Sequence, residues 1–438
     1  MFKKTTLENG LRIITVPQEN TQAVTVLVLV GTGSKYETKD INGISHFLEH
    51  MYFKGTKKRP STVAIAEPLD KVGGIYNAFT SEEYTGYFAK VASSHLDLVL
   101  DWVSDIYLNS LLPEKEIEKE RGVIIEEINM YLDTPMIYIG ELWKKLLYGD
   151  QPAGWEVSGT KESVAKIKRE QILNYLKSQY VASSTIICVA GKISSSQIIN
   201  KIKKYFSKIK KIQPKSRLPV IDASINSAST LSSNRRVEKQ DKPRLLIFQK
   251  PTDQTHLAIG VRAYNLFHPQ RYTLELLGVI LGGMMSSRLF EEIRTKLGIA
   301  YYIRTAVENN PDTGYLVTLA GIDNKNVEKA ISTILKEYKK ISQKKVPQVE
   351  LKKAKDNVKG RMVLELESSD AQASFYAGQE LLEKKILTPE EIFAKIDKVT
   401  RDDILKVAKD IFQPKKLNLA LIGPSFEDKE KFEKLLRL

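Results

Sequence analysis

Apolar residues at Leu11, Ile13, Ile14 and Val16 lead through a polar turn into a second apolar run over residues 23–31, the signature of a strand, a loop and a strand. Residues 244–251 lead through Thr252, Asp253 and Gln254 into residues 256–262 with the same pattern. Each pair precedes an apolar helix ending near a glycine (43–55 and 272–283), then further strands and long amphipathic helices. A late strand closes each series, at 184–191 and 417–424. The repetition predicts an α+β chain of two duplicated domains, each of about 200 residues. The first spans 1–212 and the second 243–438, joined by a linker over 213–242 that is rich in Ser, Asn, Pro and charge.

Composition narrows the class. The chain has 438 residues, of which 42% are hydrophobic and 27% charged, enough apolar material for large cores. The longest apolar runs, such as residues 23–30, are far shorter than the roughly 20 residues that span a bilayer, so no membrane anchor is expected. Lys3 and Lys4 have no apolar stretch or small-residue cleavage site behind them, and the chain reads as mature from its first residue. Cys188 is the single cysteine, which excludes an intrachain disulfide and any multi-cysteine zinc site and fits a cytoplasmic setting. The net charge of +14 does not predict a nucleic-acid partner, because most lysines are interspersed with glutamates, as over residues 115–120. Ile202, Tyr205, Phe206 and Ile209 have the spacing of a buried helix face whose lysines are solvated.

The chemistry gathers on the first apolar helix. His46, Glu49 and His50 fall at i, i+3 and i+4 of a stretch, 43–53, that is predicted helical, so two imidazoles and a carboxylate share one face. This is an H-x-x-E-H motif: two neutral histidines hold Zn²⁺ and the glutamate takes a proton from the bound water. Phe47 and Leu48 set the helix into a core. A third ligand is expected from the acidic helix 114–132, where Glu120 and Glu127 lie seven residues apart on one face with Ile124 and Tyr131, while Glu126 points elsewhere. Glu127 is the better ligand, and Glu120 a carboxylate that orients the site.

These residues resemble the pitrilysin family of metallopeptidases, its half-size, two-domain members in particular, and the resemblance extends over nearly the whole chain. Glu127 stands 77 residues after His50, similar to that family's ligand spacing, and Glu120 matches a further acidic position. Further matching stretches are 73–80, 158–163 and 287–290, the last continuing to Arg294 and Tyr301. The resemblance implies a mostly antiparallel sheet packed with helices in each domain, of the LuxS/metallopeptidase type, and one Zn²⁺ per chain. It implies an endopeptidase acting on peptides or unfolded presequence-like segments, with Glu49 as general base. A non-catalytic or scaffold subunit of a larger processing-peptidase-like assembly is the alternative. By the same resemblance, Asn77, Ala78, Phe79 and Thr80 belong to an edge strand to which the substrate adds, and Arg294 and Tyr301 reach the substrate near the metal. A homodimer is expected, with a heterodimer of related subunits as the second arrangement. Aligning Gly55 with Gly283 places Leu274, Leu277 and Gly278 where His46, Glu49 and His50 stand, so the second half is expected to lack a metal site.

Overall fold

The computed structural model of the chain describes residues 2–206, 209, 239–424, 426 and 429–438. Most of the expected linker, 213–238, lies outside the described residues.

The apolar runs form strands close to their expected limits. In chain order the strands of the described residues are β1 (Lys3–Thr6), β2 (Arg12–Pro17), β3 (Ala23–Val30), β4 (Ile75–Thr80), β5 (Thr85–Ala92), β6 (Thr185–Gly191), β7 (Arg244–Gln249), β8 (Gln254–Arg262), β9 (Ala300–Asn309), β10 (Gly314–Asp323) and β11 (Leu417–Gly423). Among the described residues they make one sheet ordered β1-β2-β6-β3-β5-β4 and another ordered β7-β11-β8-β10-β9. The second order repeats the last five positions of the first. Directions repeat too: β2 runs parallel to β6 as β7 does to β11, and every other neighbour is antiparallel. The duplication read from the chain is thus a duplication of topology in a mostly antiparallel α+β fold. The short strand β1, paired along β2, is an addition the hydrophobic pattern did not announce.

The chain forms two compact units that differ from contiguous halves. One comprises Met1–Asn129, Trp155–Val220 and Leu364–Ile386; the other comprises Met130–Gly154, Ile221–Val363 and Leu387–Leu438. Each unit therefore takes a helix from the opposite half of the sequence. In the first, helix Ser369–Leu382 packs on β3 and β6, where Ala373, Tyr376 and Ala377 share a core with Ile14, Leu27, Leu29, Ile186 and Cys188. Its start is pinned by a buried Thr25–Ser369 hydroxyl pair at 2.8 Å. In the second, helix Pro135–Tyr148 lays Ile139, Leu142 and Trp143 against Ala258, Val317, Ala420 and Ile422 of β8, β10 and β11. The physical reason is that the sheets are apolar on both faces. Ile13, Val26, Val28 and Val189 alternate with the residues under the Ser369–Leu382 helix and are equally buried. A sheet of this kind needs helices on each side, and burying the second face contributes roughly 25 cal/mol per Å² of apolar surface.

One edge of the first sheet bears on the chemistry. β4 pairs with β5 alone and ends the sheet. Phe79 lies over Gly86 of β5, where an added Cβ would come within 2.2 Å of the ring, so glycine is required opposite that phenylalanine. Among the described residues no helix is long and apolar enough to cross a membrane.

Candidate metal centre

The motif helix runs Ile44–Met51, with Ile44, Phe47, Leu48 and Met51 wholly buried. Two further hydrogen bonds, Tyr52 N–H to Glu49 and Phe53 N–H to His50, continue it as a tighter turn to the expected end at 53. Its N-cap is Gly43 at φ +95°, a conformation that favours glycine and that brings the backbone against Ser158, leaving no room for a Cβ. Gly43 has no side chain to cap with. The buried carboxylate of Glu37 does so instead, accepting from the backbone N–H groups of Gly43 and Ser45 at 2.8 Å each and from Asn42 Nδ2 at 2.9 Å. Negative charge there complements the helix dipole. Ser45 Oγ in turn pairs with Tyr175 Oη (2.8 Å), which also meets Thr32 Oγ1 (2.7 Å).

With the helix so fixed, His46 Nε2 and His50 Nε2 lie 3.2 Å apart. Glu127 Oε2, from the acidic helix Glu114–Leu132, is 3.6 Å from the first and 3.4 Å from the second. Ligands about 2.0–2.1 Å from a tetrahedral ion stand roughly 3.3–3.4 Å from one another, so this triangle has the size of one face of a zinc site. Two imidazole nitrogens and a carboxylate oxygen, with a fourth position left over, are the donor set of a hydrolytic zinc. The residues fit the metal. Glu126 is exposed and takes no part, as the helical spacing predicted.

Glu49 lies beside this triangle without joining it. Its Oε2 accepts a 2.5 Å hydrogen bond from Thr80 Oγ1, at the end of β4. Burial raises its pKa, with the Glu127 charge adding to the rise, against the Thr80 hydrogen bond and the His50 charge. A carboxyl raised in this way is a better proton acceptor near neutral pH than an exposed one. The two histidines, without metal, divide sharply. Burial lowers His46 to about 4, reinforced by the neighbouring His50 charge. Burial also lowers His50, but the hydrogen bonds and charges of Glu120 and Glu127 outweigh it and hold it at about 9.

Glu120 is buried, and its Oε1 meets His50 Nδ1 at 2.9 Å. Its other oxygen, Oε2, is 2.6 Å from Lys54 Nζ. Burial raises this carboxyl, yet the His50 and Lys54 hydrogen bonds and charges leave it below the usual range. Neither the Lys54 contact, the Thr80 bond nor the Glu37 cap was anticipated from sequence.

The remaining predicted site residues fall in two places. Asn77, Ala78, Phe79 and Thr80 are in β4, where Asn77 Oδ1 accepts from Ala78 N–H at 2.9 Å. Thr80 is thereby placed against Glu49, a position its assignment to the substrate strand did not foresee. Arg294 and Tyr301 are in the second unit. Arg294 lies on a π-helical segment, Phe290–Lys296, stacks over Phe290 (5.3 Å) and donates to the Tyr301 carbonyl, while the Tyr301 side chain is exposed. In that unit Leu274 and Leu277 are wholly buried on helix Arg271–Gly282, and a Cβ on Gly278 would meet Val307 at 2.8 Å. An apolar, close-packed face stands where the metal motif would be.

Comparison with known proteins agrees with this division. Residues 12–161 match the family model described as insulinase (peptidase family M16), and residues 166–358 match the peptidase M16 inactive domain. An uncharacterized zinc protease of Bacillus subtilis, YmxG, is 34% identical over 97% of this chain and 99% of its own length. An uncharacterized zinc protease of Mycobacterium leprae is 32% identical over 99% of this chain and 94% of its own. A crystal structure of a protease from Helicobacter pylori superimposes with a TM-score of 0.88 at 25% identity, covering 97% of this chain and 99% of that one. With both domain matches in one chain and relatives of this kind along its length, the chain belongs to the insulinase family, peptidase family M16.

Proposed function

We propose that the chain is a zinc-dependent endopeptidase that hydrolyses peptides or unfolded, presequence-like segments. The observation that carries this reading is the triangle of His46, His50 and Glu127 donor atoms with the buried Glu49 carboxylate beside it. These three residues would hold one zinc ion per chain, which when bound supplies Lewis acidity and acidifies water. Glu49 takes the proton from the attacking water and returns it to the leaving amine. Glu120 fixes the ring of His50 through Nδ1. Arg294 and Tyr301 act on the substrate, the guanidinium on a carbonyl or carboxylate and the phenol on the developing oxyanion.

The substrate adds along the outer edge of β4. Because Thr80 of that strand is bonded to Glu49, an added peptide runs within reach of the base. Backbone pairing supplies affinity with little dependence on sequence, which suits varied unfolded segments. We further propose a cytoplasmic homodimer, with a heterodimer of related subunits as the alternative, and no nucleic-acid partner. A scaffold role without catalysis has less behind it, since the full donor set converges.

The test is hydrolysis of a quenched peptide by the purified chain, with and without chelator and in Glu49→Gln. Loss of cleavage in both is expected, with zinc retained in the variant. Cleavage that survives either treatment overturns the reading, and light scattering of the same sample reports the oligomer.

A further inference from the structure

We infer that Lys54 is a positioning residue of the metal site, acting through Glu120 on His50. This rests on the metal reading above. A ligating histidine is held in one tautomer and one ring orientation by what its second nitrogen meets, and such partners are worth about 10- to 100-fold in metal affinity. Here the partner is Glu120, whose Oε1 faces His50 Nδ1 and whose Oε2 is held by Lys54 Nζ at 2.6 Å. A carboxylate with one oxygen on the histidine and nothing on the other is free to turn about its last torsion; the ammonium removes that freedom.

Lys54 is itself held in place, which separates it from an ordinary surface lysine. Its side chain is 20% exposed. The next residue, Gly55, has φ +130° and a carbonyl that accepts from Leu111 N–H at 3.0 Å. Thr56 then bonds Asp105 (2.7 Å), and Arg59 bonds both Asp105 and Asp101 at 2.6 Å. The turn that carries Lys54 out of the motif helix is thus clamped to helix Leu96–Asn109, and the ammonium is delivered to Glu120 from a fixed backbone.

The experiment measures zinc dissociation constants by chelator competition on the full chain in wild type, Lys54→Met, Lys54→Arg, Glu120→Gln and Lys54→Met/Glu120→Gln, with the melting temperature of each metal-free protein. Lys54→Met is expected to weaken zinc about tenfold or more while Lys54→Arg restores most of it. The double variant is expected to bind no worse than Glu120→Gln alone, because the lysine acts only through that carboxylate. Unchanged affinity in Lys54→Met, or losses that add in the double variant, overturns the proposal. So does a loss accounted for by a fall in the metal-free melting temperature that Lys54→Arg shares. If wild type itself binds no zinc, the metal reading falls and this inference with it, an outcome distinct from normal wild-type binding with an indifferent lysine.

Discussion

Thr80 donates its hydroxyl to Glu49 across 2.5 Å, joining the last residue of the edge strand to the carboxylate beside the two histidines. The bond favours the ionised carboxylate and opposes the rise imposed by burial. Thr80→Val keeps the branched shape that suits a strand and removes the donor. Its expected effect is a fall in kcat of about tenfold with KM little changed, and an acidic limb of the kcat/KM profile that moves to higher pH, because the lost bond stabilised the charged form. Thr80→Ser should recover both. A pH–rate series on the three proteins checks this, and a change confined to KM would return Thr80 to simple substrate contact.

Glu127 and Glu126 are neighbours with opposite fates. Glu127→Gln removes an anionic donor from the triangle and should weaken zinc by more than about a hundredfold, since even the outer partners of a ligand are worth 10- to 100-fold. Glu126, exposed on the far side of the same helix, should tolerate glutamine with zinc content unaltered. Metal analysis after dialysis of the two variants compares them directly.

Glu37 fixes the motif helix from outside it. Glu37→Gln preserves volume but turns one acceptor into an N–H₂ group, which then faces the backbone donor of either Gly43 or Ser45. Stability should fall by about 1–3 kcal/mol, the penalty for a buried donor left unpaired. Urea unfolding of the metal-free protein measures it.

Asp101 links the turn after the motif helix to acid sensitivity. Burial raises its pKa, but hydrogen bonds from Lys58 and Arg59 outweigh it and set the folded value below 3.8. A depressed carboxyl contributes stability that is present above its unfolded value and lost as pH falls through the folded one. Asp101→Asn should therefore be the less stable protein at pH ~5 yet lose less than wild type on acidification to pH ~3. Denaturant midpoints at the two pH values decide the point.

Much of this was legible in the chain because it is local. Helical spacing put His46, Glu49 and His50 on one face and separated Glu127 from Glu126, and the acidic helix has the limits the pattern predicts, Glu114–Leu132. The strands likewise followed their apolar runs. What escaped depends on distant partners. Lys54 looks like any lysine after a helix until Glu120, 66 residues on, is placed beside it. Glu37 lies in a polar stretch that gives no sign of burial, and Thr80 reads equally well as one more strand residue. The π-helical turn under Arg294 also escaped, since one extra residue in a turn leaves little mark in apolar periodicity. Nor can periodicity say which sheet an amphipathic helix will cover, and so the exchange of helices Pro135–Tyr148 and Ser369–Leu382 was invisible.

That exchange has a consequence in time. A ribosome releases the two histidines and the three glutamates of the site early, but the helix that closes the other face of their sheet ends only at Leu382. Until then the growing chain carries an open apolar surface over β2, β3 and β6, and the metal-binding half waits on the last stretch of synthesis to become whole.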